Sequence, residues 1–246
     1  MDTHAPHLHQ APGKKWRHYL FEFFMLFLAV FCGFLAEYQL EHIIEKDREK
    51  QYMKSMTEDL KSDISMLENN IPLRMERIAM IDSLVYLLNS PQRKDMGNEI
   101  YLLGRRISPP INIFPNDGTI QQLKSAGNLR LVRKQHISRS IMAYDQKMRQ
   151  SLYEMGDEVQ IRAEYRILAV KVFNTSVFNE MIRFDSTIKP VNNPKLFCED
   201  AMLINQLIGA AQYIKRVNQA QINTSNQLLA QAKQLSMDIQ KEYRLE

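Results

Sequence analysis

The sequence predicts an all-α protein: one N-terminal transmembrane helix that continues into an elongated bundle of three long helices with short accessory helices. Three observations carry this expectation. Tyr19 to Tyr38 reads YLFEFFMLFLAVFCGFLAEY, with no polar side chain between Phe23 and Ala36. Long stretches beyond it repeat apolar residues at steps of three and four, the spacing of one helix face. Glycine is scarce, with 8 in 246 residues, against an average of about 7%, which argues against a sheet protein rich in tight turns. The domain reading is a disordered N-terminal tail with a basic flank over 1–18, the span over 19–38 and a helical extramembrane domain over 39–246.

The tail, MDTHAPHLHQAPG, brings His4, His7 and His9 close together. Clustered histidines can take a metal such as zinc. No cysteine or carboxylate cluster joins them to complete a closed site, so no metal ligand is assigned. The span itself holds about 20 residues, roughly 30 Å as a helix, which matches a bilayer core. Trp16, Tyr19 and Tyr38 sit where aromatic belts belong. A buried core helix would carry a polar face; this one is apolar all round except for Glu22, close enough to Tyr19 to reach the headgroups. No A-x-A pattern follows to mark signal-peptide cleavage, and Phe31 before Cys32 is a poor match to a lipoprotein site.

Lys14, Lys15 and Arg17 precede the span, whereas Glu37 and Glu41 follow it and no basic residue appears until Lys46. The asymmetry predicts a cytoplasmic N-terminus, although Lys46, Arg48, Lys50 and Lys54 count the other way over a longer window. The expected location is the inner membrane of a Gram-negative cell, single-pass, with 39–246 periplasmic. Cys32 and Cys198 lie far apart, so no disulfide framework is expected.

The first long helix should run on past the membrane. An apolar series of Met53, Met56, Leu60, Ile64, Leu67, Ile71, Met75, Ile78, Ile81, Val85 and Leu88 keeps phase across Pro72. Proline kinks a helix without compelling a reversal, and no glycine offers a turn there, so the expectation is a through-helix ending at Asn89-Ser90-Pro91. Residues 89–132 read as irregular, with a helical patch at Asn98 to Arg106 and an extended SPPINIFPNDG segment. Thr119-x-x-Gln122 has the form of a capping box, Gly127 suits the C′ position, and Leu123 and Leu129 are expected to pack this corner inward.

A second long helix is expected from Lys134 to Phe173, with Ile137, Ile141, Tyr144, Met148, Leu152, Met155 and Val159 buried. Residues 174–200 read as loop with a short helical piece. The third long helix is expected from Glu199 to Tyr243, buried through Ile204, Leu207, Ile208, Ala211, Ile214, Ile222, Leu229, Ala232, Leu235 and Ile239. Asn218 and Ser225 fall near that stripe and read as partly exposed, or as register-setting polar residues. Three helices joined in this order would run away from the membrane, back, and away again, leaving Glu246 far from it.

Catalytic signatures are missing. There is no phosphate-cradling loop, and H-E-x-x-H, C-x-x-C and G-x-S-x-G are absent. His18, His42 and His136 are scattered, and adjacent Asp157 and Glu158 read as a solvated face, not an acid–base pair. No catalytic, cofactor-binding or metal residue follows, and an enzyme is not expected. Arg130, Arg133, Lys134, His136 and Arg139 form the densest basic run, readable as a salt-bridged surface or a phosphate contact. The mild net charge of +4 does not point to nucleic acid.

The motifs W-R-H-Y-L-F-E-F-F at 16–24, F-L-A-E-Y at 34–38, E-K-D-R-E-K-Q-Y at 45–52 with D-L-K-S-D-I downstream, and T-I-Q-Q-L-K-S-A-G-N-L-R-L-V at 119–132 carry a resemblance. The chain resembles an uncharacterised family of single-span, helix-rich membrane proteins of Gram-negative bacteria, a domain of unknown function. The resemblance covers about residues 14–70 and 117–145. It implies the anchor and the helical fold but no activity, cofactor or catalytic residue. Two roles then stand open: an envelope protein acting by protein–protein interaction or scaffolding, or an extracytoplasmic ligand-sensing module signalling through a membrane partner, with its ligand between helices. The expected partners are the lipid bilayer through residues 19–38 and either a second copy of the chain or another envelope protein.

Overall fold

A computed structural model describes residues 13–245 other than 126 and 185. His4, His7 and His9, and the terminal Glu246, lie outside the described residues. The described chain is helical: α1 (Gly13–Asn89), α2 (Gly97–Arg106), α3 (Gly118–Ser125), α4 (Gln135–Val172), α5 (Thr175–Glu180) and α6 (Ala201–Tyr243). Short 3-10 turns lie at Arg93–Asp95 and Asn128–Leu131. A minimal antiparallel ribbon, β1 (Ile182–Arg183) with β2 (Ser186–Thr187), was not expected in the 174–200 loop.

By internal contacts the chain divides into two units, Met1–Gln51 and Tyr52–Glu246. In the first, α1 begins at Gly13, so the basic flank Lys14, Lys15 and Arg17 belongs to the helix. Every side chain from Trp16 to Glu41 is exposed. Phe23, Phe27 and Phe31 stack at successive i,i+4 positions, with ring centroids 6.3 and 6.0 Å apart. Among the described residues one helix is long and apolar enough to cross a membrane, and none of its apolar window is buried.

In the second unit α1 passes through Pro72 without a break. Its core-facing positions nevertheless differ from the apolar series. The buried residues are Met53, Met56, Leu60, Asp63, Leu67, Arg74, Ile81, Leu84 and Leu88. They keep the alternating three-and-four step of a seven-residue repeat. Met75 stands 58% exposed instead. The same frame holds on α4, where Ser151, Glu158, Arg162 and Tyr165 are buried and Val159 is exposed. It also holds on α6, where Asn218, Gln221 and Ser225 are buried among the apolar positions. Asn218 and Ser225, expected to be partly exposed, are fully enclosed.

Two apolar clusters result. Met53 to Leu67 of α1 pack with Ile137 to Met148 of α4, Leu228 to Ile239 of α6, and Ile113, Ile120 and Leu123 from the connecting segment. Ile81 to Leu88 pack with Ile100, Tyr101, Tyr165 to Phe173 and Ile204 to Ile214. Burying such a side chain stabilises by about 1.5–3 kcal/mol, and dozens do so here.

Helix directions follow from cross-helix bonds. Asp63 accepts from Tyr144 and Arg74 donates to Glu158, so α1 and α4 run parallel. Glu68 pairs with Lys233 and Asp82 with Lys215, so α6 runs antiparallel to α1. The expected away-back-away order is therefore corrected. The chain returns along α1 as non-helical backbone between α2 and α3, because Pro109, Pro110 and Pro115 exclude a helix there. The last turns of α6 consequently lie with Met53 and Met56, and Tyr243 and Leu245 pack on the same cluster.

Two local details position this return. Helix α3 begins at Gly118, so Thr119 lies inside its first turn and the expected capping box does not form. Asp59 of α1 accepts the Thr119 N–H instead, at 3.0 Å, and Asp63 accepts the Asn116 N–H at 2.8 Å. Gly127 takes the left-handed φ of 64° expected of it. Helix α2 docks tightly: a Cβ on Gly97 would lie 2.1 Å from the Pro194 carbonyl oxygen. Asp200 caps α6 by accepting the Leu203 N–H, and α4 starts at Gln135 with no side-chain cap.

Candidate functional site

Between the two apolar clusters the three long helices contribute polar side chains to a closed layer. Arg74 and Arg162 are both fully buried. Glu158 lies between them. Its Oε2 accepts from Arg74 Nη1 at 3.2 Å, and its Oε1 accepts from Arg162 Nε at 2.8 Å and Nη2 at 2.6 Å. Asn218 of α6 accepts a further bond from Arg74 Nη1 at 3.2 Å and donates to the Ile214 carbonyl. Among the described residues Arg74 Nε has no hydrogen-bond partner, and neither does Ser225 Oγ of α6.

The remaining donors hold the returning backbone. Arg74 Nη2 reaches the Ile111 carbonyl at 2.7 Å, and Arg162 Nη1 reaches Ile107 at 2.6 Å. Arg77 Nη1 donates to the carbonyls of Ile107 and Pro109 at 2.9 and 2.6 Å. Three arginines from two helices thus satisfy carbonyls that a proline-bearing segment cannot pair in a helix or sheet. Burial pushes the Arg74 guanidinium below its ordinary range, with the Glu158 carboxylate opposing that shift. Arg77 is pushed down to about 10, first by burial and then by the Arg162 charge.

A second buried polar pair joins α1 to α4. The Tyr144 hydroxyl donates to Asp63 Oδ2 at 2.7 Å. Burial raises the Asp63 carboxyl, with the Asn116 N–H and the Tyr144 hydroxyl pulling it back. Burial beside that carboxylate pushes the Tyr144 phenol far above its ordinary range, so it remains a donor. Asp145 next to it is buried against Lys124 and Arg149, at 3.1 and 2.9 Å.

The chain matches no family model, no curated protein and no solved structure. The reading of its chemistry therefore rests on its own side chains. Among the described residues no group of three or more His, Cys, Asp and Glu is placed to hold a metal ion. His18 lies beside Tyr19, His42 contacts the Tyr38 ring at 4.4 Å, and His136 faces Glu242 at 3.7 Å. Of the basic run, Lys134 and His136 both pair with Glu242, which the Lys134 ammonium holds below the usual carboxylate range. Arg130, Arg133 and Arg139 are exposed. Glu22 is exposed, Cys32 is exposed and Cys198 half-buried, both free.

Glu158 is the main correction to the sequence reading. Asp157 is solvated as expected, but Glu158 is 2% exposed and central to the layer. Reading only apolar residues hides it. The signal available was the seven-residue frame: Tyr144, Ser151, Glu158 and Tyr165 recur at that interval. The layer can fix register and clamp the 107–111 backbone.

Proposed function

We propose that this chain is a membrane-anchored helical envelope protein that acts by binding another protein or a second copy of itself, not by catalysis. On this reading residues 19–38 span the inner membrane once, with the N-terminus cytoplasmic and residues 39–246 periplasmic. The three long helices form an elongated bundle with coiled-coil-like packing, in keeping with their seven-residue spacing of buried positions. The observation that carries the reading is the contrast between the two units. The apolar side chains of 19–38 are all exposed in one unbroken run, while the second unit buries two apolar clusters joined by a closed polar layer and exposes its other apolar side chains singly along the helices and loops. A contiguous exposed apolar surface of that size needs a lipid or protein cover.

The ligand-sensing alternative places its ligand between the long helices. Arg74, Glu158, Arg162 and Asn218 occupy that space, which favours the interaction role. In-cell crosslinking followed by mass spectrometry tests it: crosslinks from the second unit to one envelope protein or to a second copy are expected. Recovery of the uncrosslinked monomer alone would count against the proposal. A reporter active only in the cytoplasm, fused after Glu246, should be silent; activity there reverses the orientation.

A further inference from the structure

Where α1 meets the returning backbone, outside the closed layer, the surface folds into a cavity of about 360 Å³. Its lining includes Leu73, Glu76, Arg77, Met80, Arg106 and Asn112. That volume falls at the small end of the range for ligand sites. We infer that this cavity binds a small organic anion, with its carboxylate or phosphate group between Arg77 and Arg106 and a short apolar portion against Leu73 and Met80.

Charge is the first reason. Arg74, Arg77, Arg106 and Arg162 act on one another here, and the carboxylates among them are Glu158 and Glu76. Glu158 is committed to Arg74 and Arg162 inside the layer. Glu76 reaches Arg106 only at 3.4 Å, and both side chains are about half exposed. Among the described residues Arg77 is therefore left beside three other guanidiniums with no carboxylate in ion-pair contact of its own. Its pKa is depressed mainly by burial and then by Arg162, with Glu158 opposing the shift and Arg106 and Arg74 adding smaller contributions to it.

Donor geometry is the second reason. Both Arg77 hydrogen bonds to the backbone use Nη1. Among the described residues no bond engages its Nη2 or Nε, and Arg77 lines the cavity. A planar guanidinium with one edge committed and another open suits a carboxylate or phosphate, which accepts two parallel N–H bonds. Partial desolvation strengthens such a bond relative to open water. Leu73 is half exposed and Met80 partly buried, so an alkyl or aryl body would cover apolar surface now open to water.

This inference is independent of the interaction role, which is tested in cells. Here the full chain in neutral detergent is titrated by calorimetry with hexanoate, inorganic phosphate and hexylammonium. Saturable binding of hexanoate or phosphate is expected, weakened about tenfold by Arg106→Gln, the loss of one charge-assisted bond. Glu76→Gln, which removes the competing carboxylate, should tighten it. Arg106→Gln leaves the Arg77 bonds to Ile107 and Pro109 in place, and an unchanged melting curve checks that the fold survives. Hexanoate binding alone assigns a carboxylate on an apolar chain, and phosphate binding alone assigns a phosphate group. No saturable binding of either anion, equal binding of hexylammonium, or anion binding indifferent to both substitutions overturns the inference.

Discussion

Arg74 and Arg162 keep two guanidinium groups out of water against the single carboxylate of Glu158 and several backbone carbonyls. Removing one partner of a buried ion pair leaves the other charge uncompensated and costs about 3–5 kcal/mol. Glu158→Gln should therefore lower the denaturation midpoint strongly, whereas Asp157→Asn, one residue away and exposed, should stay within about 0.5 kcal/mol of the parent. Urea titrations of the two variants side by side check this; equal midpoints would mean the layer does not hold the fold. Asp63 gives a pH prediction. Its carboxyl is raised by burial, so the folded chain holds that proton more tightly than the unfolded chain. The associated stability is present below the unfolded carboxylate range, about 3.9, and is lost as pH rises through the raised value. Asp63→Asn removes that loss and should gain stability relative to the parent as pH is raised from about 4 to 7. An offset constant with pH would refute it. These residues were hidden in the sequence because burial of a charge depends on its partners, and Arg74, Glu158 and Asn218 come from three separate helices.

At the scale of elements, the long helices were legible, with α1 passing through Pro72, α4 at Gln135–Val172 and α6 at Ala201–Tyr243. Repeating apolar steps set their extents, and the few glycines inside them, Gly33, Gly156 and Gly209, do not break them. Labels at Ser62 and Ser83, both exposed, should show an electron–electron spin distance of roughly 30 Å, the rise of a continuous helix; a short distance would mean a hairpin at the proline. The face each helix buries was less legible. Ile64, Ile71 and Met75 suggested a stripe, but the buried positions include Asp63 and Arg74. A helix of this length drifts relative to a seven-residue repeat, so following the apolar residues slides off the true seam wherever that seam is polar. The start of α3 was missed for a related reason. Thr119 has the local pattern of a cap, and the oxygen that accepts its N–H comes from Asp59, distant in sequence.

At the scale of the whole molecule, the apolar stretch in the first unit and the filled core of the second make different predictions. A double Leu28→Arg, Val30→Arg variant places charge at the centre of the proposed span, where each costs about 2.5–3.5 kcal/mol on the insertion scale. Membrane fractionation should fall sharply; undiminished fractionation would show that another element holds the chain there. The composition and the periodicity made the helical class legible, but the directions of the helices were not. That order depends on a return path of bare backbone, whose carbonyls are held by Arg74, Arg77 and Arg162.

This return path has a kinetic consequence. Helices joined by short hairpins zip up from neighbour to neighbour, and their local contacts make them fast folders. Here α1 packs with α4 in the same direction and waits for α6 to come back along it, so Met53 and Ile239, near opposite ends of the second unit, share one cluster. During synthesis the face from Met53 to Leu67 stays incompletely covered until the last turns of α6 have left the ribosome. The slow step of refolding should then be the docking of α6, set by closure of a long loop, and not the formation of any helix.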